Sequence, residues 1–284
     1  MRGAVRAARP LSFGDDVDEA AWAHVEQVVD GDRTVATFFA PQARRRPLLA
    51  LYAFDQEVAR IGLTVREPMA GHIRLAWWRE QVAAAYEGTK LQAPVPQALA
   101  EVVRANALPH AVFEAYLDAR AFDLEEAPFA DEAAMDAHAR SVGGGLVQLA
   151  ARVLGAEHRA DAAAMEAGVA IVLARHIGEA AADAGRRRCR LPLSWLAEAG
   201  VNAEDLFAAR ELSGPLSAVF TRMRGLVGRH LRALNASAFP RAATPALAVA
   251  TLARLAPADP FKPRATADWQ RLARLSLANL TWRF

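Results

Sequence analysis

The chain has 284 residues, 53% of them hydrophobic, and a formal net charge of +2. That length and apolar content suit one large domain or two small ones with a sizeable core, and argue against intrinsic disorder. Cys189 is the only cysteine, which excludes intrachain disulfides and cysteine-rich zinc clusters and fits a reducing compartment.

The opening MRGAVRAARPLSFG carries three arginines and no acid, as an organelle-targeting peptide or an irregular bacterial N-terminus does, and lacks the apolar stretch of a secretory signal. Residues 1–17 are expected to be a flexible segment and residues 18–284 one domain. Apolar residues at three- and four-residue steps, punctuated by proline and glycine, predict an all-α chain. The predicted helices are Asp18 to Val29, Thr34 to Ala40, Gln42 to Gly62, Met69 to Tyr86, Val95 to Asn106, Pro109 to Leu124, Asp131 to Leu154, Arg159 to Ala184, Pro192 to Ala199, Ala203 to Ala208, Ser213 to Asn235, Thr244 to Ala256 and Thr266 to Trp282. Strand patterns are nearly absent, and no fixed-period repeat or long linker divides the chain, so one helical bundle is expected. No run reaches the ~18 consecutive apolar residues a spanning helix needs.

Apart from Lys90 and Lys262 the basic residues are arginines, whose planar fork holds phosphate or carboxylate oxygens in pairs at any working pH. The bias reflects a GC-rich genome as readily as a binding strategy. Arg44, Arg45 and Arg46 precede a long helix, and Arg186, Arg187, Arg188 and Arg190 occupy a loop. Each cluster reads either as a contact for a diphosphate, a phospholipid surface or an acidic partner, or as a solvated face. Nucleic-acid binding is not expected, because charges of both signs are interleaved and no known motif occurs. Trp77 and Trp78, adjacent on one helix, point in different directions, so one belongs in the core and the other against a neighbour or ligand. SVGGG, Ser141 to Gly145, follows no strand and is not a nucleotide loop.

Five collinear fragments carry a family resemblance: RRRPLLALYAF, HIRLAWWREQVAAAYEG, YLDARAFDL, ARSVGGGLVQLAARVLG and LARHIGEAAADAGRRRCRLPLSWLAEAGV. Together they resemble the squalene/phytoene synthase family over roughly Thr34 to Val201. The resemblance implies a single-domain, isoprenoid-synthase-like helical bundle around a central cavity. In active members two aspartate-rich motifs on facing helices hold Mg²⁺ against prenyl diphosphates. Here the matching positions are Ala59, Arg60 and Leu63 in the first motif and His176 and Ala180 in the second. Asp55, Glu57, Glu179 and Asp183 are the acids that a relocated metal site would use, with Asp118 and Asp123 on the segment between. The same resemblance marks Arg45, Arg46, Tyr52, Phe54, Asp118, Gly144, Arg175 and Arg188 as candidate ligand-binding residues.

The C-terminal LARLAPADPFKPRATADWQRLARLSLANLTWRF is similar to the tail of a divergent branch, the mitochondrial complex I assembly factors with this domain and their bacterial relatives. The resemblance therefore implies a protein without prenyl transfer activity, needing no cofactor or metal, that binds an isoprenoid or lipid ligand or a protein partner, with a role in complex I assembly. The alternative is a working head-to-head prenyltransferase of isoprenoid biosynthesis using Mg²⁺. The expected location is cytoplasmic, peripheral at a membrane in one reading, and mitochondrial for a eukaryotic source.

Overall fold

The structure, a computed structural model, describes residues 19–29, 31–65, 67–125, 127–212, 214–262 and 267–281. The predicted flexible segment and the predicted helix termini Asp18, Ser213, Thr266 and Trp282 lie outside the described residues. Among the described residues all regular structure is helical. The α-helices are α1 (Glu19–Val28), α2 (Gly31–Phe38), α3 (Gln42–Thr64), α4 (Pro68–Glu87), α5 (Pro94–Asn106), α6 (His110–Phe122), α7 (Glu132–Ala139), α8 (Gly145–Val153), α9 (Asp161–Gly185), α10 (Leu193–Glu198), α11 (Ala203–Ala208), α12 (Gly214–Ala233), α13 (Thr244–Ala248) and α14 (Asp268–Thr281).

Local chemistry sets several boundaries. Pro68 and Pro94 open α4 and α5, where the missing N–H costs nothing, and Gly88 closes α4 in the left-handed conformation (φ 77°). The Asp131 side chain accepts from the Ala134 N–H at the start of α7, and Asn202 with Asp205 forms a capping box on α11. Two predicted helices are subdivided. The span Asp131 to Leu154 becomes α7, a π-helical turn over Arg140–Gly144 and α8, and Thr244 to Ala256 becomes α13 followed by a 3₁₀ run over Val249–Leu255.

Two helices organise the core. In α3 every residue from Pro47 to Asp55 is buried, so this stretch is enclosed on all sides, as an apolar helix without a polar face must be. It packs on α1, α2, α5 and α8, while α9 packs on α8, α12, the π-turn and the 3₁₀ run. Phe54 sits edge-on to Trp78 at 5.3 Å and to Phe113 at 5.5 Å, tying α3 to α4 and α6. Trp78 is the core member of its pair, and Trp77 is 40% exposed above an open cleft between α3 and α4. On the opposite wall, Gly143 in the π-turn and Gly168 in α9 meet backbone to backbone. A smaller cluster of Ala36, Ala248, Leu275 and Ala278 fastens α14 to α2 and α13.

Candidate functional site

The C-terminal halves of α3 and α9 face each other across a cavity of about 750 Å³, which the start of α2, the 3₁₀ run and α14 complete. That volume lies within the usual range for small-molecule sites. Ala59, Arg60 and Leu63 from α3 and His176 from α9 all line it. Ala180 is buried and does not line it. Arg175, Glu179, Asp183, Arg188 and Arg190 add polar groups from α9 and the loop that follows.

Behind the cavity lies a chain of buried ion pairs. Arg33 donates from Nη1 to Asp55 Oδ2 at 2.5 Å, Arg120 from Nη2 to Asp55 Oδ1 at 2.9 Å, and the Tyr116 hydroxyl to the same Oδ1 at 2.5 Å. Arg120 also reaches Asp123 Oδ2 at 3.2 Å, and Asp123 Oδ1 takes Arg190 Nη1 at 2.5 Å with His138 Nε2 at 3.1 Å. Burial acts to raise the Asp55 carboxyl, but Arg33, Arg120 and Arg175 outweigh it and hold it below the usual carboxylate range. Burial likewise opposes the hydrogen bond from His138 and the charges of Arg190 and Arg120 at Asp123, which also ends well below that range.

Glu179 and Asp183 behave differently. Glu179 is exposed on the cavity side and Asp183 is buried, and burial raises both carboxyls against the partial compensation of Arg175 at Glu179 and of Arg190 at Asp183. Among the described residues seven arginines and five acids line the cavity, so the charge they give it is positive, and every proton that Glu179 or Asp183 takes up makes it more so. Between α3 and α9 a deep recess lined by Tyr52, Val142, Gly143, Leu146 and Val172 holds only about 20 Å³, room for a single water.

A family model described as squalene/phytoene synthase matches residues 27–271. The chain belongs to that family. Squalene/phytoene synthase relatives include the phytoene synthase of Pseudescherichia vulneris, 30% identical over 67% of this chain and 64% of that protein. The complex I assembly factor 6 of Mus musculus is 25% identical over 62% of this chain and 53% of that protein. The chain thus spans between half and two thirds of the length of these two relatives. Among solved structures, a dehydrosqualene synthase in complex with ligand matches with a TM-score of 0.79 at 16% identity, over 93% of this chain and 96% of that one. The squalene synthase HpnC from Alicyclobacillus acidocaldarius matches with a TM-score of 0.71 at 17% identity, over 92% and 94%. At these identities the likeness establishes the fold, the isoprenoid-synthase helical bundle.

Several residues that the resemblance marked sit elsewhere. Asp118 faces outward, its side chain 71% exposed and paired with Arg79 at 2.5 Å, and Asp123, past the end of α6, is the acid that reaches the cavity. Phe54 is sealed in the aromatic core. Arg45 donates to the carbonyls of Phe38 and Ala40 and so closes the end of α2, while Arg46 pairs with Glu19. Glu57 turns to the outer surface, 3.3 Å from His24 Nε2. Tyr52 lines the closed recess, and Gly144 lies against Met165 inside the helix packing. Arg175 and Arg188 do line the cavity. Sequence reading missed Arg33, Arg120 and His138 and had Arg190 only as a member of the loop cluster; the four converge from separate elements, and the three-residue step from Arg120 to Asp123 was the one local sign of the network.

Of the two facing helices only α9 brings carboxylates, Glu179 and Asp183, to the cavity. Magnesium takes near-octahedral oxygen, usually one or two carboxylates with waters and substrate phosphates. Toward the cavity α3 presents a methyl group, a guanidinium and a leucine, and its one buried acid, Asp55, is committed to Arg33 and Arg120. Among the described residues no three His, Cys, Asp or Glu side chains group as a metal site.

His176 is neutral. Burial, then Arg190, His138 and Arg175, push its imidazole well below the usual histidine value, and the ring stacks near Phe129 with centroids 6.0 Å apart. A group whose folded pKa is depressed holds its full stability above the unfolded value, near 6.5, and loses it as pH falls below that. Unfolding free energy should therefore drop by about 1.4 kcal/mol per pH unit on this residue's account below ~6.5. Denaturant titrations of H176N from pH 7 to 5 should show a slope shallower than the parent by that amount.

Proposed function

We infer that this squalene/phytoene synthase family member binds rather than transfers: its cavity receives an isoprenoid or lipid with an anionic head, and prenyl groups are not joined there. The observation that carries this reading is the facing pair of helices, which offers Ala59, Arg60, Leu63 and His176 at positions where the family resemblance calls for metal-binding aspartates. A pyrophosphate leaving group needs its charge neutralised as it departs, and hard cations supply that neutralisation in the family chemistry.

The assembly-factor relatives support a partner-binding role in complex I assembly. The outer face of α14 suits such a role, because Trp269, Leu272, Leu277 and Leu280 all stand exposed on it. Among the described residues no helix is long and apolar enough to cross a membrane.

The phytoene synthase relatives make the competing reading specific. Purified protein incubated with geranylgeranyl diphosphate or farnesyl diphosphate and millimolar magnesium should release no pyrophosphate above the protein-free rate, while calorimetry registers ligand binding. Steady release that disappears in E179Q and D183N would establish the transferase instead.

A further inference from the structure

We propose that the cavity takes a diphosphate group directly on guanidinium groups, so that divalent cations compete with the protein for this ligand instead of bridging it. The proposal rests on the binding reading above and fixes how the anionic head is held.

Two arginines stand apart from the buried network. Arg60 on α3 and Arg175 on α9 both line the cavity and make no direct ion pair among the described residues. Arg60 is exposed at the rim and Arg175 is half-buried, its charge felt by both Asp55 and Glu179. Guanidinium groups bind phosphate oxygens in pairs and keep their charge at every working pH. Arg190, although paired with Asp123, also faces the cavity.

The cavity acids do not cancel this field. Asp123 is consumed by Arg120, Arg190 and His138 and Asp32 by Arg271, while Asp268 sits at the start of α14. Glu179 and Asp183 both lie on α9, one turn apart, and burial drives both toward the protonated form. These two carboxylates have Arg60 opposite them and Arg175 on their own helix, so the arginines, not the acids, offer the binding surface for a polyanion.

Magnesium in solution binds diphosphate and removes both its charge and the oxygens that arginine would use. Adding magnesium should therefore weaken binding here, the reverse of what a carboxylate-caged site gives.

Calorimetry with inorganic pyrophosphate and with geranylgeranyl diphosphate, in EDTA and then in millimolar magnesium, tests this. Both ligands should bind in EDTA, both should bind several-fold more weakly in magnesium, and R60Q with R175Q should lose roughly tenfold in affinity. R60Q alone, at an exposed position that leaves the melting temperature unchanged, should lose part of that. Binding of the prenyl ligand alone, with the same magnesium and arginine dependence, would keep the proposal and assign the diphosphate to a lipid-borne source. Magnesium-tightened binding without pyrophosphate release overturns the proposal and leaves the binding reading intact. No binding of either ligand in either buffer overturns both.

Discussion

Replacing Asp55 with asparagine should cost about 3–5 kcal/mol of stability, a large share of the total for a domain of ordinary stability. The Asp55 side chain is 2% exposed and those of its partners Arg33 and Arg120 are 10% and 7% exposed. Removing its charge leaves two buried guanidinium groups facing a neutral amide, and also strips the Tyr116 hydroxyl of its charged acceptor. The cost comes from the stranded cations, more than from any intrinsic worth of the pairs. A triple variant that replaces Asp55, Arg33 and Arg120 with Leu, Met and Met leaves neither cation stranded and should therefore lose less than D55N alone. Urea unfolding of the two variants decides the matter: a triple loss equal to or greater than the single one would mean that the network contributes outright stability. The pH dependence has a definite sign. The Asp55 carboxyl is depressed in the folded state, so its stability is present above the ordinary carboxylate pKa and fades only as pH falls below it.

The same network marks the limit of what the chain reveals before folding. Helix positions were readable because apolar spacing, proline and glycine act locally, and α3, α5, α9 and α11 lie within a few residues of their predicted bounds. The facing of Ala59, Arg60, Leu63 and His176 into one cavity was readable too, because family motifs place those positions on two helices that must oppose each other. Which acid on α6 turns inward was not. Asp118 and Asp123 are five apart, so the two point in different directions, and only the packing of α6 on α3 and α4 decides that Asp118 meets Arg79 outside while Asp123 meets Arg120 and Arg190 inside. Arg33 and Arg190 are separated by most of the chain and converge on one pair of aspartates, a relation with no periodicity to betray it. Arg45 and Arg46 show the converse: a basic cluster before a cavity-lining helix invites a phosphate, yet the neighbouring carbonyls hold Arg45 and Glu19 pairs with Arg46.

The glycines of the π-turn serve the close approach of two helices. A Cβ on Gly168 would stand 2.1 Å from the Gly143 carbonyl carbon and 2.2 Å from the Gly143 oxygen and the Gly144 nitrogen. All three are backbone atoms, so no side chain can swing aside, and α9 would have to move off the π-turn. G168A should accordingly cost about 3 kcal/mol or more, at the upper end for overpacking, despite alanine's better helix propensity. Gly178 provides the control on the same helix: its Cβ would meet only Pro257 Cδ, at 4.0 Å. There the alanine gains about 0.5–1 kcal/mol from reduced chain entropy, so G178A should raise the melting temperature as G168A lowers it. Opposite signs from identical substitutions ten residues apart isolate the backbone contact from helix propensity. Because α9 carries Arg175 and Glu179 into the cavity, its displacement in G168A should also weaken pyrophosphate binding in protein kept below its lowered melting point. Melting curves for G168A and G178A that shift together would show that the π-turn does not brace α9, and the cavity wall would then need another support.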